Sequence, residues 1–113
     1  MIARLASHVE VSGLIRRVEG MGGTGAVLAR GDREAGAILL VLCDRGTPKR
    51  LLERALDGAG SYRWQHVGPQ DVGGYEGINP YIERRRRSDA DLWVVELDIA
   101  GVERFAAEMT STG

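Results

Sequence analysis

Five carboxylates, Asp32, Glu34, Asp89, Asp91 and Glu96, and an unbroken run of arginines from Arg84 to Arg87 are the side chains here best suited to chemistry. Carboxylates brought together would hold a hard cation such as Mg²⁺ through their oxygens, or work as a general acid and base. Asp32 with Asp91 or Glu96 would then serve a metal-dependent hydrolase. Guanidinium groups fork onto phosphate or carboxylate oxygens, so Arg84 to Arg87, helped by Arg16 and Arg17, would suit nucleic acid or an acidic protein surface. Each group also has a plainer use. Asp32 falls in a glycine-bounded loop, and Asp89 and Asp91 fall in a helix-to-strand turn, where aspartate commonly bonds its own backbone. Consecutive helical residues point about 100° apart, so four arginines in a row make no flat patch. Glu83, Asp89 and Asp91 compete for them, and no aromatic residue interleaves the run to stack on bases.

The remaining motifs point to structure. Gly20-Met21-Gly22-Gly23-Thr24-Gly25 has a phosphate-binding composition, but such a loop must follow a strand and open a helix, and here the order is helix, glycines, strand. His8 and His66 lack partners at metal-ligand spacing. Cys43 closes an apolar strand with no histidine near it in the sequence, as a buried small hydrophobe does. Trp64 and Trp93 both fall in predicted strands and read as sheet packing.

These side chains must be positioned by one modest core, which is what 113 residues allow. The net charge of -1 excludes a global positive field for nucleic acid or an acidic membrane. Lys49 is the only lysine among 15 basic residues, a bias toward arginine that weakens functional claims based on arginine count. The single cysteine excludes an internal disulfide and fits a reducing cytoplasm. Met1-Ile2-Ala3-Arg4-Leu5 lacks the apolar run of a signal peptide, and no stretch approaches the ~20 apolar residues of a membrane span.

Val11, Leu14, Ile15 and Val18 fall at helical spacing after Ser7, an N-cap residue type, and predict a helix from about His8 to Glu19. Ala26 to Arg30 and Ala37 to Cys43 read as a hairpin around a polar loop, the second strand apolar on both faces and therefore central. Lys49 to Leu56 and Ser61 to Val67, separated by an Asp57-Gly58 turn, extend this to an antiparallel meander. Gly68 to Gly77 reads as loop, and Asn79-Pro80 as the start of a second helix to about Arg87. Tyr81, Ile82 and Arg85 share its face, a stripe that Tyr75 and Ile78 would lengthen if the helix began earlier. Leu92 to Leu97 is a fifth strand, Val102 to Met109 one or two amphipathic turns, and Thr110 to Gly113 a frayed tail.

Several of these pieces resemble an alphaproteobacterial family of single-domain proteins, domain-of-unknown-function family 1491. They are the helix with Arg16-Arg17, Arg30-Gly31-Asp32 with Ala35-Gly36, Arg63-Trp64, Ile82 through Arg84, Asp89, Asp91-Leu92-Trp93-Val94 and Glu96. Arg33 and Ala90 depart from it, standing where its phrases carry proline, and the glycines around Tyr75 interrupt what should be a longer helix. The resemblance implies a single α+β domain and brings no activity or catalytic residues.

The sequence therefore predicts an α+β domain spanning residues 1–113, with a five-stranded, mostly antiparallel sheet and the first and second helices on one face. Motifs for catalysis, cofactors and metals are missing, so a noncatalytic cytoplasmic interaction or accessory module is expected. Its candidate interaction residues are Arg30, Asp32, Arg84, Arg85, Asp89, Asp91 and Trp93. A homodimer is expected too, because strands apolar on both faces leave more surface than two helices cover. Nucleic-acid binding through Arg84 to Arg87 and a loop-carboxylate hydrolase are the alternatives.

Overall fold

A computed structural model describes residues 5–56 and 58–111 of the chain, so Met1 to Arg4, Asp57, Thr112 and Gly113, on which the leader, turn and tail expectations partly fall, lie outside the described residues. The elements are α1 (Ser7–Gly20), β1 (Thr24–Ala29), β2 (Ile38–Asp44), β3 (Thr47–Leu56), β4 (Tyr62–His66), α2 (Gly74–Ser88), β5 (Trp93–Asp98) and α3 (Val102–Ser111). They form an α+β fold around one five-stranded sheet in the order β1-β5-β2-β3-β4. All neighbours are antiparallel except β2 and β5, which run parallel.

Every side chain from Ile38 to Cys43 is at most 1% exposed, so β2 is the central strand its two-faced apolar run demands. β1 is not its hairpin partner. β5 enters between them, because Trp93, Val94, Val95 and Leu97 also need cover on both faces, whereas no side chain of β1 is fully buried and the strand takes the edge. The meander is therefore confined to β2, β3 and β4, and α2 supplies the long connection that a parallel neighbour requires. β2 and β3 meet at Arg45-Gly46, both left-handed with φ of 53° and 79°, the backbone twist a two-residue hairpin needs.

Two helices do share a face, but they are α1 and α3. Val11 and Val18 of α1, with Phe105, Ala106 and Met109 of α3, cover Ile38, Leu40, Leu42, Val95 and Leu97. α2 lies on the opposite face, where Ile78, Tyr75, Tyr81 and Ile82 cover Leu39, Val41, Leu51 and Val94. The third helix removes the reason for expecting a partner to hide the sheet, since it extends through Thr110 and Ser111, into the segment expected to fray.

α2 begins five residues before Asn79, after Gly73 turns the chain with φ 63°. Pro80 therefore lies inside the helix, where it removes one backbone hydrogen bond. The apolar stripe from Tyr75 to Ile82 carries the helix across that gap. Gly77 is obligatory within it: a Cβ there would lie 1.9 Å from the Val72 carbonyl oxygen.

Ser7 is not the cap of α1. It is the first helical residue, fully buried, and its hydroxyl donates to the Gly36 carbonyl at 2.6 Å. The Ser7 and His8 N–H groups, which no helical turn can satisfy, donate to the Glu34 and Arg33 carbonyls at 3.1 and 2.9 Å. The loop between β1 and β2 thus caps α1, and the same bonds hold that loop in place. No helix among the described residues is long and apolar enough to cross a membrane.

Candidate functional site: an arginine-lined cleft

The α1-capping loop meets the turn between α2 and β5 through backbone contacts. The Asp32 N–H donates to the Asp91 carbonyl at 3.0 Å, and the Trp93 indole N–H donates to the Asp32 carbonyl at 2.7 Å. The carboxylates brace their own turns: Asp32 accepts from the Ala35 and Glu34 N–H groups at 2.8 and 3.2 Å, and Asp89 from the Asp91 N–H at 3.0 Å. Gly31 and Gly36 permit the approach, since a Cβ on either would lie 2.1 or 2.3 Å from the Asp91 carbonyl oxygen. Gly31→Ala is expected to destabilise by about 2–3 kcal/mol through this overpacking and to disturb the amides of Arg30 and Asp91, read by urea unfolding and by NMR shifts.

This junction opens a cleft of about 400 Å³ lined by Arg30 after β1, Glu83, Arg86 and Arg87 of α2, and Asp89, Ala90 and Leu92 of the turn. The Arg30 guanidinium lies 5.9 Å from the centre of the Trp93 ring. Arg86 and Arg87 are exposed in the last turn of α2, where their charge complements the unpaired carbonyls. None of the three arginines forms an ion pair among the described residues. Three guanidiniums face two carboxylates, so the cleft is cationic on balance.

The structure divides the arginine run. Arg85 turns toward the sheet and grips both oxygens of Glu53 at 2.7 and 3.0 Å. That bond pushes its pKa up against the opposing effect of burial, so its charge is spent internally. Arg84 is exposed but does not line the cleft. The residues that do, Arg86 and Arg87, are absent from the interaction candidates named from sequence. The signal was available, because Arg85 shares the apolar face of Tyr81 and Ile82. Arg16 and Arg17 add nothing here: α1 is on the other face of the sheet, and Arg17 lies over Phe105 of α3 at 5.1 Å.

The loop carboxylates do not assemble into a metal centre. Asp32 and Asp89 are engaged by backbone, and Glu96 lies under α2, where it accepts a hydrogen bond from the Tyr75 hydroxyl. Among the described residues no three of His, Cys, Asp or Glu are placed to share a cation. A larger hollow, about 520 Å³, opens between β3, β4 and the Gly68–Val72 loop, but its arginine, Arg50, is already paired with Glu103 at 2.6 Å.

Cys43, next to Tyr75 and Glu96, is fully buried, and burial, with the Glu96 charge adding to it, pushes its thiol from 9.0 up to about 12. Unfolding returns the thiol to its ordinary value, so between those limits the unfolded chain releases a proton that the folded chain keeps. Stability is expected to be unaffected by this group below pH 9 and to fall as pH rises toward 12. Burial raises the Tyr75 phenol as well, with the same sign. Cys43→Ala should make the alkaline decline of the melting temperature shallower.

The family described as "Protein of unknown function (DUF1491)" matches residues 5–107. The chain belongs to the DUF1491 family. A crystal structure of a DUF1491 protein from Caulobacter crescentus is 34% identical with a TM-score of 0.75, over 84% of this chain and 88% of that one. The solution structure of protein Atu0922 from A. tumefaciens is 34% identical with a TM-score of 0.73, over 87% and 88%. An NMR structure of a DUF1491 protein from Caulobacter crescentus reaches a TM-score of 0.79 at 32% identity, over 98% and 100%. No curated protein matches the chain. The expected family is thus the right one, and DUF1491 membership supplies the fold without an activity.

Proposed function

We propose that the chain is a noncatalytic interaction module of the cytoplasm whose cleft docks a carboxylate-bearing segment of a protein partner. The observation that supports this is the convergence of Arg30, Arg86 and Arg87, unpaired among the described residues, from two distant parts of the chain. Planar guanidiniums match carboxylates in a forked geometry. Glu83 and Asp89 leave the small cleft only weakly cationic, which suits a few peptide carboxylates better than the long run of phosphates on a nucleic acid. A single buried cysteine suits a reducing compartment.

The test is an NMR titration with a hexaglutamate peptide, run beside a short DNA duplex. Peptide-induced shifts are expected at Arg30, Arg86, Arg87 and Ala90, with affinity about tenfold weaker in an Arg86→Gln, Arg87→Gln double variant. Tighter, strongly salt-dependent binding of the duplex, or peptide shifts spread away from the cleft, would overturn the proposal.

A further inference from the structure

We infer that the acidic segment docked by the cleft also carries a basic residue beside its carboxylates, and that Glu83 selects for it. This rests on the cleft reading above and adds a polarity to it. Of the two carboxylates in the lining, Asp89 is already used: one of its oxygens accepts the Asp91 N–H at 3.0 Å, and the other lies 3.9 Å from Arg85. Glu83 is exposed and forms no ion pair among the described residues.

That isolation is informative because of where α2 puts its charges. Arg86 and Arg87 follow Glu83 by three and four positions, the spacing at which a helix lets opposite charges meet. Neither arginine closes on it, and all three line the same hollow of about 400 Å³. The pair that α2 could have made within itself is thus left open to an incoming chain.

Four helical residues advance about 6 Å along the axis. The α2 side of the cleft therefore runs from a negative end at Glu83 to a positive end at Arg86 and Arg87, and Arg30 keeps the whole cationic on balance. An extended chain advances about 3.3 Å per residue, so a lysine two positions from a glutamate spans the same distance. Ala90 and Leu92, the apolar part of the lining, add no competing charge. A uniformly acidic segment sets a carboxylate against Glu83, whereas a segment of mixed sign places each charge against its opposite. At exposed positions each such contact is worth about two- to fivefold in affinity.

NMR titrations with two capped peptides of equal length, hexaglutamate and Lys-Lys-Glu-Glu-Glu-Glu, test this. Bulk charge favours hexaglutamate at a cationic cleft, so tighter binding of the mixed peptide, the result expected, isolates selection by Glu83. Glu83→Gln should act in opposite directions, strengthening hexaglutamate and weakening the mixed peptide, each about threefold. A loss of folding would weaken both, and an unchanged melting temperature checks that separately. Hexaglutamate binding as tightly as the mixed peptide, or Glu83→Gln shifting both affinities in the same direction, would overturn the inference. If hexaglutamate still shifts the cleft amides in that case, the polarity alone is refuted; if neither peptide shifts them, the cleft reading falls with it.

Discussion

Glu10→Ala is expected to lower the free energy of unfolding by about 3 kcal/mol, read as a shift in urea midpoint at constant slope. Glu10 lies in the first turn of α1 and pairs with Arg54 of β3, whose guanidinium also lies over the Tyr62 and Trp64 rings at 4.9 and 5.9 Å. The Glu10 and Arg54 side chains are only 15% and 11% exposed, and Arg54 already carries one buried nitrogen, Nη2, without a hydrogen-bond partner. Removing the carboxylate leaves the guanidinium buried and unneutralised, which costs far more than the pair contributes when intact. Glu10→Gln keeps an acceptor and should lose less. Replacing both residues, Glu10→Leu with Arg54→Met, should recover most of the loss. A double-mutant coupling below about 0.5 kcal/mol would show that water already compensates Arg54.

Leu40→Ala should cost about 2–5 kcal/mol. Leu40 is fully buried in the middle of β2, opposite Leu52 on one side and Val95 on the other, under α1 and α3. Rigid neighbours on both sides prevent the strand from collapsing into the space left behind. Native-state hydrogen exchange should find the slowest amides from Ile38 to Cys43, and in the variant these should speed up together. Fast exchange across that strand in the parent protein would contradict the central position of β2.

What could be read from sequence came from local constraints. The two-faced apolar runs announced β2 and β5 as interior strands, helical spacing gave α1, and turn-forming aspartates were placed in the turns they brace. Strand order was not local: the loop between Arg30 and Ala37 permits either a hairpin or a strand inserted between, and the choice rests on β5 needing two neighbours. Asn79-Pro80 misled because proline favours helix starts, while the true start depends on Gly73, Gly74 and the glycine that clears the Val72 carbonyl. Of the site candidates read from sequence, Arg30 and Asp89 line the cleft, and Trp93 and Asp32 hold the junction beside it. The assignment within the arginine run required knowing that Glu53 lies beneath α2, a contact between residues 32 positions apart.

The parallel pairing of β2 with β5, Ile38 beside Trp93 and Cys43 beside Asp98, has a consequence for the order of assembly. The central strand cannot acquire its second neighbour until Trp93–Asp98, about fifty residues after it, has been synthesised. Until then β2, β3 and β4 form an incomplete meander with an oily open side. Folding should therefore be slow for the chain's length and late on the ribosome, with the emergence of β5 as the committing event.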